Sequence, residues 1–71
     1  MILPRMRELR LEAYKTQRQV AHHLQISQST YSNYETGKVT ITIDALIQLC
    51  YYYGVSMDYI TGRSDERNRH A

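Results

Sequence analysis

The sequence predicts an all-α domain of five short helices. One proline and three glycines among 71 residues leave few positions that interrupt a helix. Apolar residues recur at spacings of three and four, which is the period of a helix. Ser or Thr precedes several of these apolar stretches and Gly follows others, as expected at helix starts and ends. The predicted starts are Thr16, Ser27, Thr42 and Ser56, and the predicted ends are Gly37, Gly54 and Gly62.

Composition and charge narrow the class of protein without naming a function. The chain is 42% hydrophobic and 23% charged, which is ordinary for one small globular domain. A net charge of +2 is too modest to indicate nucleic-acid binding, so the placement of charges must carry that argument. The single Cys fits a reducing compartment, and no stretch resembles an export signal or a membrane span. We therefore expect a cytoplasmic protein.

No pattern in the chain indicates catalysis or metal binding. We find no paired carboxylates, no Gly-rich phosphate loop and no Cys–His pairing. His22 and His23 are adjacent and so point about 100° apart on a helix, whereas metal-binding pairs need a spacing of four. We expect no enzyme activity, no cofactor and no metal, and we assign both histidines to exposed surface.

The first helix should start at Pro4, which fits the first turn, and end at residue 13 or 14. Met6, Leu9 and Ala13 form its predicted inward stripe. Leu11 falls off this stripe, so we expect it to be partly exposed or to touch a partner.

Residues 17–36 contain the stretch around which the rest is arranged, namely two helices joined by a tight turn. Thr16 and Gln19 can form a capping box at the start of the first of these helices. Ser27 can cap the second, expected over residues 28–36. The residues predicted to face inward are Val20, Ala21, Leu24, Ile26, Tyr31 and Tyr34.

The opposite face of the second helix carries small or amide side chains without charge. Gln and Asn can bond bidentately to adenine, and Ser or Thr can bond to any base edge. Each residue alone is more simply an exposed polar residue, but the surrounding caps and core spacing favour base reading. The predicted base-reading residues are Gln28, Ser29, Thr30, Ser32 and Asn33.

The last two predicted helices supply much of the core. Thr42 should cap a fourth helix whose apolar surface includes Leu46, Ile47, Leu49, Cys50 and Tyr53, and Ser56 should cap a fifth over residues 57–61. The apolar and aromatic residues near this end exceed what one helix end can bury, which indicates a dimer contact as well as core packing. The candidates are Tyr51, Tyr52, Val55, Met57 and Tyr59. Residues 65–71 form a charged tail that we expect to be frayed.

Two stretches resemble one known family. The run ISQSTYSNYETGK at residues 26–38 and the run YYGVSMDYITGRSDE at residues 52–66 are similar to the Cro/C1-type helix-turn-helix family, also called the XRE family. The resemblance covers residues 5–64 and implies a compact five-helix, lambda-repressor-like domain over residues 1–64, with the helix-turn-helix at helices 2 and 3. The family usually has Gly where this chain has Gln25. Gln25 must therefore accept left-handed strain of about 1 kcal/mol or follow a different turn.

The resemblance also implies roles for charged and polar residues. An arginine at the place of Arg10 pairs in the family with the acid that is Glu35 here, so we expect a largely buried ion pair. Gln17 matches a position that bonds the DNA backbone, and the loop of residues 38–41 approaches the same backbone. The predicted phosphate contacts are Lys15, Gln17, Arg18, Lys38 and Thr40.

The sequence-based hypothesis is a sequence-specific binder of double-stranded DNA, acting as a small transcriptional repressor of bacterial or phage type. We expect a homodimer on a near-palindromic operator, controlled by concentration, dimerisation or a partner protein because the chain leaves no room for a ligand domain. One alternative is an antitoxin that represses its own operon, and another is a protein-interaction module of the same fold. An antitoxin usually binds its toxin through an acidic or apolar arm, and this chain has only a short tail. Equal binding of random and genomic DNA at low salt would favour the interaction module.

Overall fold

The computed structural model describes residues 2–68 and is all-helical over its named elements. The five helices are α1 (Pro4–Glu12), α2 (Gln17–Leu24), α3 (Gln28–Thr36), α4 (Ile43–Tyr53) and α5 (Met57–Ile60). One isolated antiparallel bridge joins Val55 to Asn68. The predicted all-α, five-helix fold with a helix-turn-helix at α2 and α3 is confirmed.

Helices α2 to α5 start at side-chain caps that the sequence predicts, whereas α1 starts at Pro4 after Leu3 without one. Thr16, Ser27, Thr42 and Ser56 each accept a hydrogen bond from the backbone N–H three residues further on. Each bond satisfies one of the donors that a helix start leaves unpaired. Gly37, with φ of 77°, and Gly54, with φ of 69°, end α3 and α4 in the left-handed region that suits glycine.

All five helices and the turn before α5 contribute to one core. The packing is closest between α2 and α3, while α1 packs on α3 and α5, and α4 packs on α2 and α5. Burial of these apolar side chains is the main favourable term in folding. The buried apolar residues are Met6, Leu9, Val20, Ala21, Leu24, Tyr31, Tyr34, Ala45, Leu46, Leu49, Cys50, Val55 and Ile60.

Helix α1 is slightly shorter than predicted. It ends at Glu12, and the chain then turns through Tyr14, whose φ is 57°. Ala13 therefore lies beyond the last helical turn and is exposed, so its prediction as an inward residue is wrong. The i, i+7 spacing places a side chain on a stripe only while the helix continues.

Helix α4 buries a narrower face than predicted. Leu46, Leu49 and Cys50 are buried as expected, and Ala45 is buried with them. Ile47 is 39% exposed, so its prediction as a core residue is wrong. The neighbouring helices cover one side of α4, and Ile47 projects from the other.

Residues 65–68 contact the start of α5 and the end of α1. The backbone N–H of Ser56 donates to the carbonyl oxygen of Arg67 at 2.8 Å, and the Ser56 hydroxyl donates to that of Glu66 at 3.1 Å. The Arg67 guanidinium pairs with Glu12 of α1 at 2.7 Å. The expected tail thus folds back over α5 and α1 as far as Asn68, and residues 69–71 lie outside the described residues.

Candidate nucleic-acid interface

The turn between α2 and α3 takes a left-handed conformation at Gln25, with φ of 58° and ψ of 40°. The N–H of Ile26 donates to the carbonyl of Ala21 and that of Gln25 to the carbonyl of His22, both at 3.0 Å. This pair of bonds is the Schellman arrangement that commonly ends a helix with a glycine. Of the two possibilities open at Gln25, the chain accepts the left-handed strain.

A buried polar network holds α3 against α1 and α2. The Nε of Arg10 donates to Oε2 of Glu35 at 2.6 Å, and its Nη2 donates to Oε1 at 3.2 Å. The Tyr31 hydroxyl donates to Oε2 at 2.6 Å, and the Gln17 amide donates to Oε1 at 3.2 Å. The Arg10 and Glu35 side chains are only 9% and 3% exposed. The ion pair is thus present, and because the network around it joins residues of α1, α2 and α3, it helps to set the orientation of α3.

The charged form of Glu35 is favoured within this network. Burial by itself raises the pKa of the Glu35 carboxyl. The hydrogen bonds from Arg10, Tyr31 and Gln17 together lower this pKa by more than burial raises it, so the net pKa lies below its usual value. The bond to Glu35 raises the pKa of Arg10 against the opposing effect of burial. Burial and the bond to Glu35 both raise the pKa of the Tyr31 hydroxyl, which stays a donor. At neutral pH the centre of the network is a carboxylate with donors on both oxygens.

The predicted base-reading side of α3 faces away from the core. Gln28 and Ser29 are exposed, while Ser32 and Asn33, one turn further on, are half-buried. Within residues 2–68 the side-chain amides of Gln28 and Asn33 form no hydrogen bond. These amides therefore keep the donor and acceptor pair that adenine recognition requires.

Thr30 is placed differently from the other four candidates. Its hydroxyl oxygen accepts a hydrogen bond from the Ser27 hydroxyl at 2.8 Å, and its backbone N–H donates to that same Ser27 oxygen at 3.0 Å. Thr30 is half-buried beside the N-cap of α3. Its side chain supports the helix start, and a base contact there would have to share the hydroxyl with Ser27.

The predicted phosphate contacts lie at three places around α3. Arg18 on α2, and Lys38 and Thr40 in the loop after α3, are exposed. Lys15 is half-buried, and its carbonyl accepts a bond from Arg10 at 3.0 Å. Gln17 uses one N–H of its amide on Glu35, which leaves the second N–H for a phosphate.

An open cleft beside α3 adds a residue that the sequence analysis left out. The cleft lies between α2 and α3, and its walls include Arg18, Gln19, His22 and Gln28. His22 is exposed, as the sequence predicts, and it borders the same cleft as Gln28, the first base-reading candidate. The i, i+4 spacing of Arg18 and His22 on α2 could have revealed this, because residues four apart share a helix face.

Four of the five dimer candidates are at least partly buried within a single chain. Val55 is 1% exposed and belongs to the core of a single chain, so its prediction as a dimer contact is wrong. The Tyr59 ring lies under the Arg5 guanidinium at 4.1 Å, and Tyr52 stacks on His23 at 4.2 Å. Met57 is half-buried against the core, and Tyr51 alone of the five is largely exposed, at 64%.

No described residues form a metal site or a membrane span. Residues 2–68 hold no group of three or more His, Cys, Asp or Glu side chains that could bind a metal ion. In the same range, no helix has both the length and the apolar character needed to cross a bilayer.

Comparison with known families agrees with this geometry. A helix-turn-helix family profile matches residues 6–60, which include all five helices except the first two residues of α1. The chain belongs to this Cro/C1-type helix-turn-helix family. The family consists of DNA-binding regulators, so the chain is classed with regulators and not with enzymes.

Two curated relatives from Bacillus subtilis (strain 168) are similar to the chain. An uncharacterized HTH-type transcriptional regulator, YobD, is 36% identical over 66 residues, which are 93% of this chain and 59% of the relative. The HTH-type transcriptional regulator ImmR is 36% identical over 61 residues, which are 86% of this chain and 48% of the relative. The chain thus spans about half the length of these helix-turn-helix relatives. No solved structure matches it significantly.

Proposed function

We propose that this helix-turn-helix domain binds double-stranded DNA sequence-specifically and represses transcription from bacterial or phage promoters. The observation that carries the proposal is the outward amide-bearing face of α3. Gln28 and Asn33 form no hydrogen bond within residues 2–68, on a helix whose start is capped and whose end is held by the Arg10–Glu35 pair. A rigid helix with uncommitted amides is suited to enter a major groove and read base edges.

Phosphate contacts would set the position of α3 on the duplex. Lys38 and Thr40 follow α3 directly, and Arg18 lies near the start of α2, so these exposed groups flank the reading face. Contacts of this kind carry no sequence information but fix the register of the protein on DNA. The proposed division is therefore base reading by Gln28, Ser29, Ser32 and Asn33, with phosphate binding by residues on either side.

Binding to DNA through α3 alone favours repression over activation. A domain bound across a promoter excludes polymerase by occupying the same DNA, and this requires no further activity. Two copies on half-sites about one helical turn apart would recognise a near-palindromic operator. The curated relatives are named as transcriptional regulators, which supports a role in regulation. The protein would act in the cytoplasm, on the nucleoid.

Selection of bound fragments from a random DNA pool tests the proposal. The wild-type chain should enrich one motif with two related half-sites, and Gln28→Ala or Asn33→Ala should relax the preference by about 1–3 kcal/mol per base contact. Gln48→Ala is the matched control, because Gln48 is an exposed glutamine on α4 away from this face. If Gln28→Ala and Asn33→Ala enrich the same motif as Gln48→Ala and the wild-type chain, this face does not read bases.

Whether the protein represses or activates transcription needs a separate measurement. The selected motif is placed across the start of a reporter promoter, and the chain is expressed from a second, inducible promoter. Repression predicts that reporter transcription falls as the chain accumulates and that Gln28→Ala weakens the effect. A rise in transcription would contradict the repressor assignment while leaving DNA recognition intact.

A further inference from the structure

We propose that His22 binds a phosphate of the DNA backbone beside the one proposed for Arg18, and that the charge of His22 makes the affinity for DNA depend on pH. Both residues line the open cleft between α2 and α3, and Gln28 lines its α3 side. The inference rests on the proposed function, because it adds a contact to the DNA that α3 would read.

Arg18 and His22 share one face of α2. Side chains four residues apart on a helix lie about 5–6 Å apart at Cβ, so they can contact neighbouring phosphates of one strand, which follow each other every ~3.4 Å along the duplex axis. The cleft that they border has a volume of about 550 Å³. Both residues are exposed, and within residues 2–68 neither side chain forms a hydrogen bond or an ion pair. Both heads therefore remain available to a ligand.

The charges around the cleft favour an anion. No acidic residue is among the described residues that line it, and Arg18 is the charged one. Helices α3 and α4 pack on α2 and carry one acid each, namely Glu35, which is bound to Arg10 at 2.6 Å, and Asp44 in the first turn of α4. Two cations four apart on a helix repel each other, so an anion in the cleft relieves the repulsion between Arg18 and a protonated His22.

The orientation of α2 on a duplex directs the cleft toward the backbone. When the second helix of a helix-turn-helix lies in the major groove, the first crosses the sugar-phosphate backbone. A helix is about 10–12 Å across and the groove about 12 Å wide, so the cleft beside the start of α3 faces the strand that forms the groove wall. The phosphate that His22 would bind is therefore close to the base that Gln28 would read.

The choice of histidine makes this contact conditional. Histidine ordinarily changes its charge between pH 5 and 8, and both ring nitrogens donate hydrogen bonds in the protonated form. Protonated His22 adds a second cation to the cleft, whereas neutral His22 offers one N–H at most. A neighbouring phosphate favours the protonated form, so DNA binding takes up a proton and the affinity for DNA rises as pH falls.

The salt dependence of DNA binding at two pH values tests the inference. Each phosphate neutralised contributes about −0.9 to the slope of log K against log salt concentration. Between about pH 8 and about pH 5.5, the wild-type slope should steepen by roughly 0.9 more than the slope of His22→Gln. At the lower pH, the ratio of wild-type to His22→Gln affinity should then grow about 3.5-fold as salt falls fourfold. Filter binding measures these slopes on a duplex with the selected motif and on a random duplex.

Three variants serve as controls. His22→Lys keeps a cation at both pH values, so its slope should be steep and independent of pH. His23→Gln removes the adjacent histidine, whose ring stacks on Tyr52 at 4.2 Å, and should keep the wild-type pH dependence. His70→Gln removes the remaining histidine of the three, which lies outside the described residues, and should keep it as well. Circular dichroism establishes that each variant is folded at both pH values.

The possible results separate this inference from the proposed function. A pH-dependent slope that survives in His22→Gln, or that is lost equally in His23→Gln, overturns the phosphate contact of His22 and leaves base reading by α3 standing. A pH-dependent slope that requires His22 while no motif is enriched from the random pool overturns sequence-specific recognition and leaves the phosphate contact standing.

Discussion

Replacing Arg10 by alanine would leave the Glu35 carboxylate buried without its charged partner. The Glu35 side chain is 3% exposed, so the carboxylate depends on protein groups for its hydrogen bonds. Loss of one member of a buried ion pair costs about 3–5 kcal/mol. Tyr31 and Gln17 would still donate to the carboxylate, so we expect Arg10→Ala near the lower end of this range. Glu35→Ala removes an acceptor shared by three residues and should cost at least as much.

The double variant separates the pair from its surroundings. Removing both partners leaves no unpaired charge, so its cost should be smaller than the sum of the single costs. The difference, which is the coupling free energy, should be about 2–3 kcal/mol for groups in direct contact. A domain of 71 residues has a total stability of about 4–10 kcal/mol, so either single variant would be close to unfolding in water.

Urea titration followed by circular dichroism measures the free energies of unfolding of the wild-type chain, the two single variants and the double variant. Trimethylamine N-oxide in every sample raises stability enough to define the folded baseline of each variant. The Arg67–Glu12 pair is the control, because its side chains are 44% and 57% exposed and such pairs contribute about 0–1 kcal/mol. A coupling free energy for Arg10 and Glu35 no larger than that of the control would refute the proposed role of the pair in holding α3.

Three further predictions follow from the same structure. Gln25→Gly should raise the free energy of unfolding by about 0.5–1 kcal/mol, because glycine tolerates the left-handed turn, whereas Gln48→Gly inside α4 should lower it by about 1 kcal/mol; urea titration distinguishes the two. The folded state lowers the pKa of Glu35 from 4.5, so its stabilising effect is complete above pH 4.5 and is lost as pH falls through the folded pKa. Wild-type stability should therefore fall more steeply with acid than that of Glu35→Gln, and equal slopes would contradict this. Lys38→Ala should weaken binding to all DNA sequences alike and reduce the salt slope by about one unit, which filter binding at several salt concentrations would measure.

Much of the fold could be read from local chemistry. Thr16, Ser27, Thr42 and Ser56 cap the four helices that were predicted to start there, because a cap needs only a hydroxyl and an N–H three residues away. The inward placement of Tyr31 and Tyr34 likewise follows from helical spacing. The outward placement of Gln28 and Asn33 on α3 is the other side of the same periodicity.

Contacts between distant parts of the chain decided the remainder. Ile47 and Val55 are both apolar, yet Ile47 is exposed and Val55 is buried, because the covering elements differ at the two places. Arg67 is held by Glu12, 55 residues away in the chain, which no local pattern encodes. Helical spacing states which residues share a face, but only the packing of the other helices determines which face is covered and which surfaces stay exposed.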